Sequence, residues 1–564
     1  MARSKAGWSE VPLRARPAAP LLAVWSRRWW PEAAVLAGFG YLVAGLVPDV
    51  EHKPLFEDEA VAGLIAARPF PEVIETVVDD RGGAPLHFVL AHLALALEPS
   101  ATALRALSVV FAAGAVVLCY LLAARLAGRA AGAIAAAVAA TSTALGVYGS
   151  FGRMYSLFAL TSALALLLFV SAAEQPTRRR VFAAAAGAWL AAATHPYGAI
   201  AVGAEALVAV ALWRGRPLRA ALPVVPWLLA AVPLGWASLR LSSRFDVGVD
   251  GSSSLTGPGD AWSLLSRALA SFAGGSGVIF GLCLAAGGLG LVLLLRRRPA
   301  FGLLAGMTLL ATPLLLMALS TGRPGGIESL SPRHLMFALP VWAALTGVAV
   351  SALASKAPPA YGAAFAATVA ALLVVAPAGG LLDPRGIPTN VTLGGGGEIA
   401  PGGREALEEP ARVLRANVGA GDLLFPYSPV YLAALTDTRR AVSLPRAEVG
   451  LLLGTLRGAI PARDLYVAVP LASHALDLDE LRARLGAGYA VRRFDRWLLL
   501  AARGPYAAPA EPLAAAYRML RATVASLDAP AYRALGGYLE QTSAIVCLSL
   551  QRLDRHCPEP VRPV

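Results

Sequence analysis

The stretch LSVVFAAGAVVLCYLLAARLAGRAAG, residues 107–132, decides the fold. From Leu107 to Ala124 it holds no charged residue, and then Arg125 and Arg129 follow. An uncharged run of that kind makes a helix able to cross a bilayer's hydrocarbon core, which takes about 20 residues. Arginines crowding its end mark the side where the chain meets cytoplasmic water.

Other apolar runs are bounded in the same way, by Arg27-Arg28, Arg178-Arg179-Arg180, Arg214 with Arg216 and Arg219, and Arg296-Arg297-Arg298. Of 564 residues, 57% are hydrophobic and 15% charged. The mean hydropathy is +0.60. A soluble globular chain carries about 25% charge, so a water-soluble fold is excluded for most of this one. The net charge of +13 sits in short loops, where the positive-inside rule places it. It signals topology, not a nucleic-acid partner. The polar, basic N-terminus does not read as a cleavable signal.

With every basic cluster inside, spans fall near 32–48, 102–124, 130–148, 154–173, 181–195, 197–213, 218–239, 277–295, 300–320, 334–352 and 358–380. That is about eleven crossings by the length and charge rules. The run APLHFVLAHLALAL, residues 84–97, is too short to cross. Counting it as a span would also put Arg125 and Arg129 outside. It is therefore placed on the outer surface with the helix-like segments 57–68 and 70–79. The division that follows is a cytoplasmic tail (1–30), a transmembrane domain (31–380) with a long outer loop (49–101), and a Gly/Pro-rich linker (381–403). Beyond the linker, 404–564 alternates β-like and helix-like runs and ends in a helical stretch. That pattern suggests an extracytoplasmic α/β domain. The expected fold class is a polytopic α-helical membrane protein with a C-terminal soluble α/β domain, in the plasma membrane.

Of the four cysteines, Cys119 and Cys283 fall in spans and read as apolar fillers. Cys547 and Cys557 lie in the tail, where export would permit a disulfide. No Walker loop, GxGxxG, GxSxG, CxxC or internal repeat is present.

Residues able to do chemistry gather on the outer face. Glu57-Asp58-Glu59 follows the first span and opens a surface helix; a carboxylate there could accept a proton from an acceptor hydroxyl. GSFGRMYSLFAL, residues 149–160, puts Arg153 and Tyr155 at the outer end of a span, where a guanidinium fork suits a phosphate. His195 stands at a hairpin in ATHPYGAI, and His87 in GAPLHFVLAHL. The short loop TGRPGGIESLSPRHLMFALP, residues 321–340, carries Arg323, Glu328, Arg333 and His334. Cations in an outer loop oppose the charge rule, and phosphate binding is a reason for them. Glu205 lies inside a span without an evident partner. The 240–276 loop, with Arg240, Arg244, Asp246, Asp250 and an amphipathic run, could cover a site.

The order of these pieces resembles the bacterial protein-mannosyltransferase-like family of membrane glycosyltransferases, which have the GT-C fold. The resemblance covers about residues 30–380. It implies that 31–380 is a GT-C-like catalytic domain, using a sugar donor carried on a polyprenyl phosphate at the outer side. The acidic pair after the first span would include the catalytic carboxylate, matching Asp58-Glu59, with Asp58 as general base. Arg153, Arg333 and His334 would bind the donor phosphate, and Tyr155, His195, His87 and Arg323 are further substrate-binding candidates. The acceptor would be a glycan, lipid or protein. One base and several cations suffice without a metal, and a carboxylate cluster facing a phosphate could also hold a divalent cation, Mg or Mn. The chain departs from the family where Ser150-Phe151-Gly152 precedes Arg153 in place of an acidic stretch, and where Pro196-Tyr197 follows the hairpin histidine. Alternative readings are a transporter or flippase of a lipid-linked substrate, or a non-catalytic envelope-assembly subunit. Candidate residues concentrated at one face, without paired midplane helix breaks, favour surface chemistry over transport.

Overall fold

The computed structural model describes residues 21–52, 55–80, 83–213, 222–242, 258–274, 277–311, 332–375, 405–418, 422–425, 428–436, 462–471, 476–508, 510–531, 536–551 and 555–557. Among them, five helices are long and apolar enough to cross a membrane: Trp29–Glu51, Ala101–Ala127, Tyr155–Glu174, Val278–Arg297 and Arg333–Ala354. Shorter apolar helices lie between them. The chain is a polytopic helical membrane protein.

Helix α1 (Leu21–His52) leads to three short helices, α2 (Glu57–Ala66), α3 (Phe70–Asp80) and α4 (Leu86–Leu97). Then come α5 (Ala101–Ala127) and α6 (Arg129–Ala140). α4 has 12 residues, a rise of about 18 Å, and is too short to cross. α6 is almost all alanine and glycine, and every residue from Ala131 to Ala140 is buried. Small side chains let neighbouring backbones approach closely where hydrophobicity alone drives little association in lipid. α6 packs against α1, α5 and two later helices, Leu339–Ala354 and Pro359–Val375.

Several expected spans are not continuous α-helices. The one at 130–148 breaks at Thr141, and α7 (Thr143–Tyr148) restarts under Ser142. The Ser142 hydroxyl caps Leu145 N–H and donates to the Ser271 carbonyl. The span at 300–320 begins as Pro299–Gly306 and passes into a π-turn at Met307–Ala311. The span at 334–352 opens with a 3₁₀ segment, Pro332–Ala338, before its α-helix starts. Pro340 sits in that helix's first turn, where no intrahelical N–H is needed.

Between these lie α8 (Tyr155–Glu174), α9 (Arg178–Thr194), α10 (Gly198–Trp213), α11 (Val225–Ser242) and α12 (Pro258–Phe272). At the end of the bundle opposite the acidic helix, Glu174 joins Arg125 and Arg298, and Glu32 joins Arg129 and Tyr120. The loop arginines are thus tied to acids from other helices.

The tail holds a four-stranded sheet of order β1-β2-β4-β3: β1 (Leu423–Phe425), β2 (Ala462–Pro470), β3 (Tyr489–Arg493) and β4 (Trp497–Tyr506). β1 runs parallel to β2, and the other pairs are antiparallel. Cys547 and Cys557 are disulfide-bonded. The tail helix Pro429–Thr436 packs on α2, and one apolar cluster joins Leu64, Ile65 and Leu104 to Val430, Leu432 and Trp497. Gly63 makes that seam possible, because a Cβ there would stand 2.6 Å from Leu432 Cδ1 and 3.0 Å from Leu104 Cδ1.

Candidate active site

Asp58 and Glu59 are neighbours in the first turn of α2, so they project about 100° apart around its axis. Their surroundings differ accordingly. Asp58 keeps 33% of its side chain exposed and accepts a 2.9 Å hydrogen bond from Arg333 Nη1. Glu59 is 1% exposed. It receives Arg105 Nε at 2.8 Å and Nη2 at 2.7 Å. It also takes Gly152 N–H at 2.9 Å and Phe56 N–H at 3.2 Å. Both its oxygens are occupied and neither faces water. The side chain of Glu57 lies outside the described residues.

The corner 149–154 follows from short-range contacts. A Cβ on Gly149 would meet Leu46 Cδ1 at 2.6 Å, so the corner presses against α1 only because that position is glycine. Ser150 Oγ donates to Asp49 at 3.1 Å, and Ser108 Oγ donates to the Phe151 carbonyl at 2.6 Å. The corner has no carboxylate in its own sequence, and Asp49 and Glu59 supply two from other elements.

Arg153, which follows, is 8% exposed, and its Nε and Nη1 have no hydrogen-bond partner among the described residues. Beside it is His87, 1% exposed and with neither ring nitrogen partnered among those residues. Burial first, and then the charge of Arg153, push the His87 imidazole down to about 3. It is neutral at physiological pH.

A cage of rings completes the cluster. His195 stacks on Phe158 with centroids 4.9 Å apart and lies 5.2 Å from Tyr197 and 5.7 Å from His334. Tyr155 is 6.4 Å from His334. The guanidinium of Arg333 stands over the Tyr155 ring at 5.5 Å. His195 Nδ1 accepts from Tyr197 N–H, which leaves its ring proton on Nε2.

The fold therefore brings Asp58, His87, Arg153, Tyr155, His195, Arg333 and His334 together. Arg323, Glu328, Arg244, Asp246 and Asp250 lie outside the described residues. Glu205 is elsewhere, lining a small cavity with Ser162 and Thr308. Sequence reasoning missed Arg105, the largest fully buried side chain among the described residues. Its signal was present: an arginine within the predicted span 102–124. Among the described residues no group of three or more His, Cys, Asp or Glu could hold a metal ion. With Asp58 and Glu59 each gripped by an arginine, these residues do not fit a Mg or Mn site.

The same fold occurs in solved proteins. ArnT from Cupriavidus metallidurans in the apo state superposes with a TM-score of 0.51 at 14% identity, over 84% of this chain and 97% of that one. The same protein bound to undecaprenyl phosphate gives 0.51 at 15% identity, over 85% and 99%. The fold is GT-C-like. An oligosaccharyltransferase from Archaeoglobus fulgidus matches at a TM-score of 0.45 and 12% identity, over 79% and 70%. No protein-family model and no curated protein matches the chain.

Proposed function

We propose that this chain is an inverting membrane glycosyltransferase that moves a sugar from a polyprenyl-phosphate donor to an acceptor hydroxyl on the extracytoplasmic side, as the protein-mannosyltransferase-like resemblance implies. The observation that carries the reading is Arg153. Its guanidinium is buried with two donor nitrogens unpartnered among the described residues, beside a second arginine that already holds an acid. Burying donors without partners is costly, and an anion with several acceptor oxygens would satisfy them. A planar fork suits phosphate. The undecaprenyl phosphate bound by ArnT is a ligand of that class on the same fold.

Asp58 is the general base. One-third exposed, it is open to a hydroxyl arriving from water. It takes the acceptor proton as the acceptor oxygen bonds to the anomeric carbon. The bond from that carbon to the phosphate oxygen breaks, its electron pair stays on the phosphate, and polyprenyl phosphate leaves. Arg153 and Arg333 offset the negative charge that grows there, and His334 and Tyr155 line the same space. One displacement inverts the anomeric centre. Glu59 is closed to the acceptor, since both its oxygens are committed. The Cys547–Cys557 disulfide supports an extracytoplasmic tail, because such bonds persist in oxidising compartments.

The test is to offer the chain, reconstituted in proteoliposomes, a panel of polyprenyl-phosphate sugars with envelope extract as acceptor. Consumption of one donor with inverted product anomers, read by NMR, is expected. No consumption of any donor, together with no binding of undecaprenyl phosphate, would remove the reading.

A further inference from the structure

We infer that Arg105 is a positioning residue that sets the distance between the base and the phosphate-binding arginine; this deepens the reading above and rests on it. The reasoning starts from what one guanidinium touches. Arg105 is 0% exposed. Its Nε and Nη2 hold both oxygens of Glu59, at 2.8 and 2.7 Å. Its Nη1 reaches the carbonyls of Asp49 at 3.4 Å and Val50 at 3.5 Å, at the end of α1. Glu59 in turn accepts Gly152 N–H from the corner before α8. Three separate segments thus meet on one buried pair: the end of α1, the first turn of α2, and the 149–154 corner.

Each segment delivers something to the site. The residue before Glu59 is Asp58, and the residue after Gly152 is Arg153. Neither Arg105 nor Glu59 reaches the site's open side, yet Glu59 is covalently joined to Asp58 and bonded to Gly152 beside Arg153, and Arg105 holds Glu59. An exposed ion pair here would fix little. A buried bidentate pair with every Glu59 oxygen satisfied allows one arrangement, because any slip strands a charge. The pair therefore sets the separation of Asp58 and Arg153, which must match the gap between an acceptor hydroxyl and a donor phosphate. A misplacement of about 1 Å at such a site can cost on the order of 100-fold in rate.

Two variants test this. Arg105→Met combined with Glu59→Gln removes both charges together, so no buried ion is left alone. Arg105→Lys keeps a cation but not the fork. In proteoliposomes the double variant is expected to lose about 100-fold in kcat while its donor KM stays within about 2-fold, because Arg153 and Arg333 remain. Arg105→Lys is expected to recover part of kcat. Hydrogen–deuterium exchange gives a readout independent of activity: the amides of Phe56 and Gly152 should lose protection together in both variants, with the α6 amides unchanged. Wild-type kcat in the double variant, or equal losses in kcat and donor affinity, would overturn the assignment. So would exchange that rises at only one of the two amides. If the wild-type protein turns over no polyprenyl-phosphate sugar, the glycosyltransferase reading fails by itself, and the paired exchange alone decides whether Arg105 couples the two segments.

Discussion

Arg333 donates a 2.9 Å hydrogen bond to Asp58 across 275 residues of sequence. That contact puts a phosphate-type cation directly on the candidate base. It marks where the donor phosphate must compete for Arg333. The Asp58→Asn variant tests it. Transfer is expected to fall about 1,000-fold, within the range that general bases supply. Expression and membrane insertion should be normal, since a partly exposed ion pair contributes little stability. A variant retaining a tenth of wild-type turnover would remove Asp58 from the role.

Arg153 should behave in the opposite way to a structural residue. Arg153→Met keeps the volume and removes two buried donors that lack partners among the described residues. The empty protein is expected to melt no lower than wild type, while affinity for undecaprenyl phosphate falls at least about 10-fold. A melting point and an affinity that drop together would identify a structural arginine. Arg333→Ala is expected to weaken donor use more than acceptor use. Equal effects on both would argue against phosphate binding there.

The seam at Gly63 gives a stability prediction. Gly63→Ala pushes a Cβ to 2.6 Å from Leu432 Cδ1, and overpacking of this kind costs about 1–3 kcal/mol. Leu432→Ala should relieve it, so the double variant should be more stable than the sum of the single effects. Thermal melts of the four proteins check this; strict additivity would show that the two side chains do not meet.

His87 links stability to pH. Its folded value of about 3 lies below the ordinary 6.5, so the unfolded chain binds its proton first as pH falls. The His87 contribution is complete above pH 6.5 and erodes below it by about 1.4 kcal/mol per pH unit. Replacing His87 by Phe should flatten the fall in melting temperature between neutral and mildly acidic pH. Parallel curves for the two proteins would show that His87 is not held neutral.

Much of the fold was legible because lipid is a simple solvent. Apolar length and arginine placement locate helices such as Ala101–Ala127, since nothing else is tolerated at those depths. The breaks at Thr141 and at Met307–Ala311 were not legible. At the first, Ser142 donates to the Ser271 carbonyl, a bond between residues 129 positions apart. Strand β3 has no apolar run to announce it, because YAVRR alternates half-buried with exposed residues and carries two arginines. In the site, the residues expected to bind phosphate, Arg153, Arg333 and His334, lie together around Tyr155 and His195. The division of labour between Asp58 and Glu59 was hidden, because adjacency in sequence says nothing about which acid Arg105 takes.

The apolar cluster shared by α2 and the tail sets a limit on how far the protein can be shortened. A chain cut after the last span would leave Leu64, Ile65 and Leu104 without Val430, Leu432 and Trp497. The helix bearing Asp58 would then turn an uncovered greasy face to water, and a truncated protein would have reason to aggregate. Val430, Leu432 and Trp497 cover that face of α2, and a shortened protein made for reconstitution must keep them.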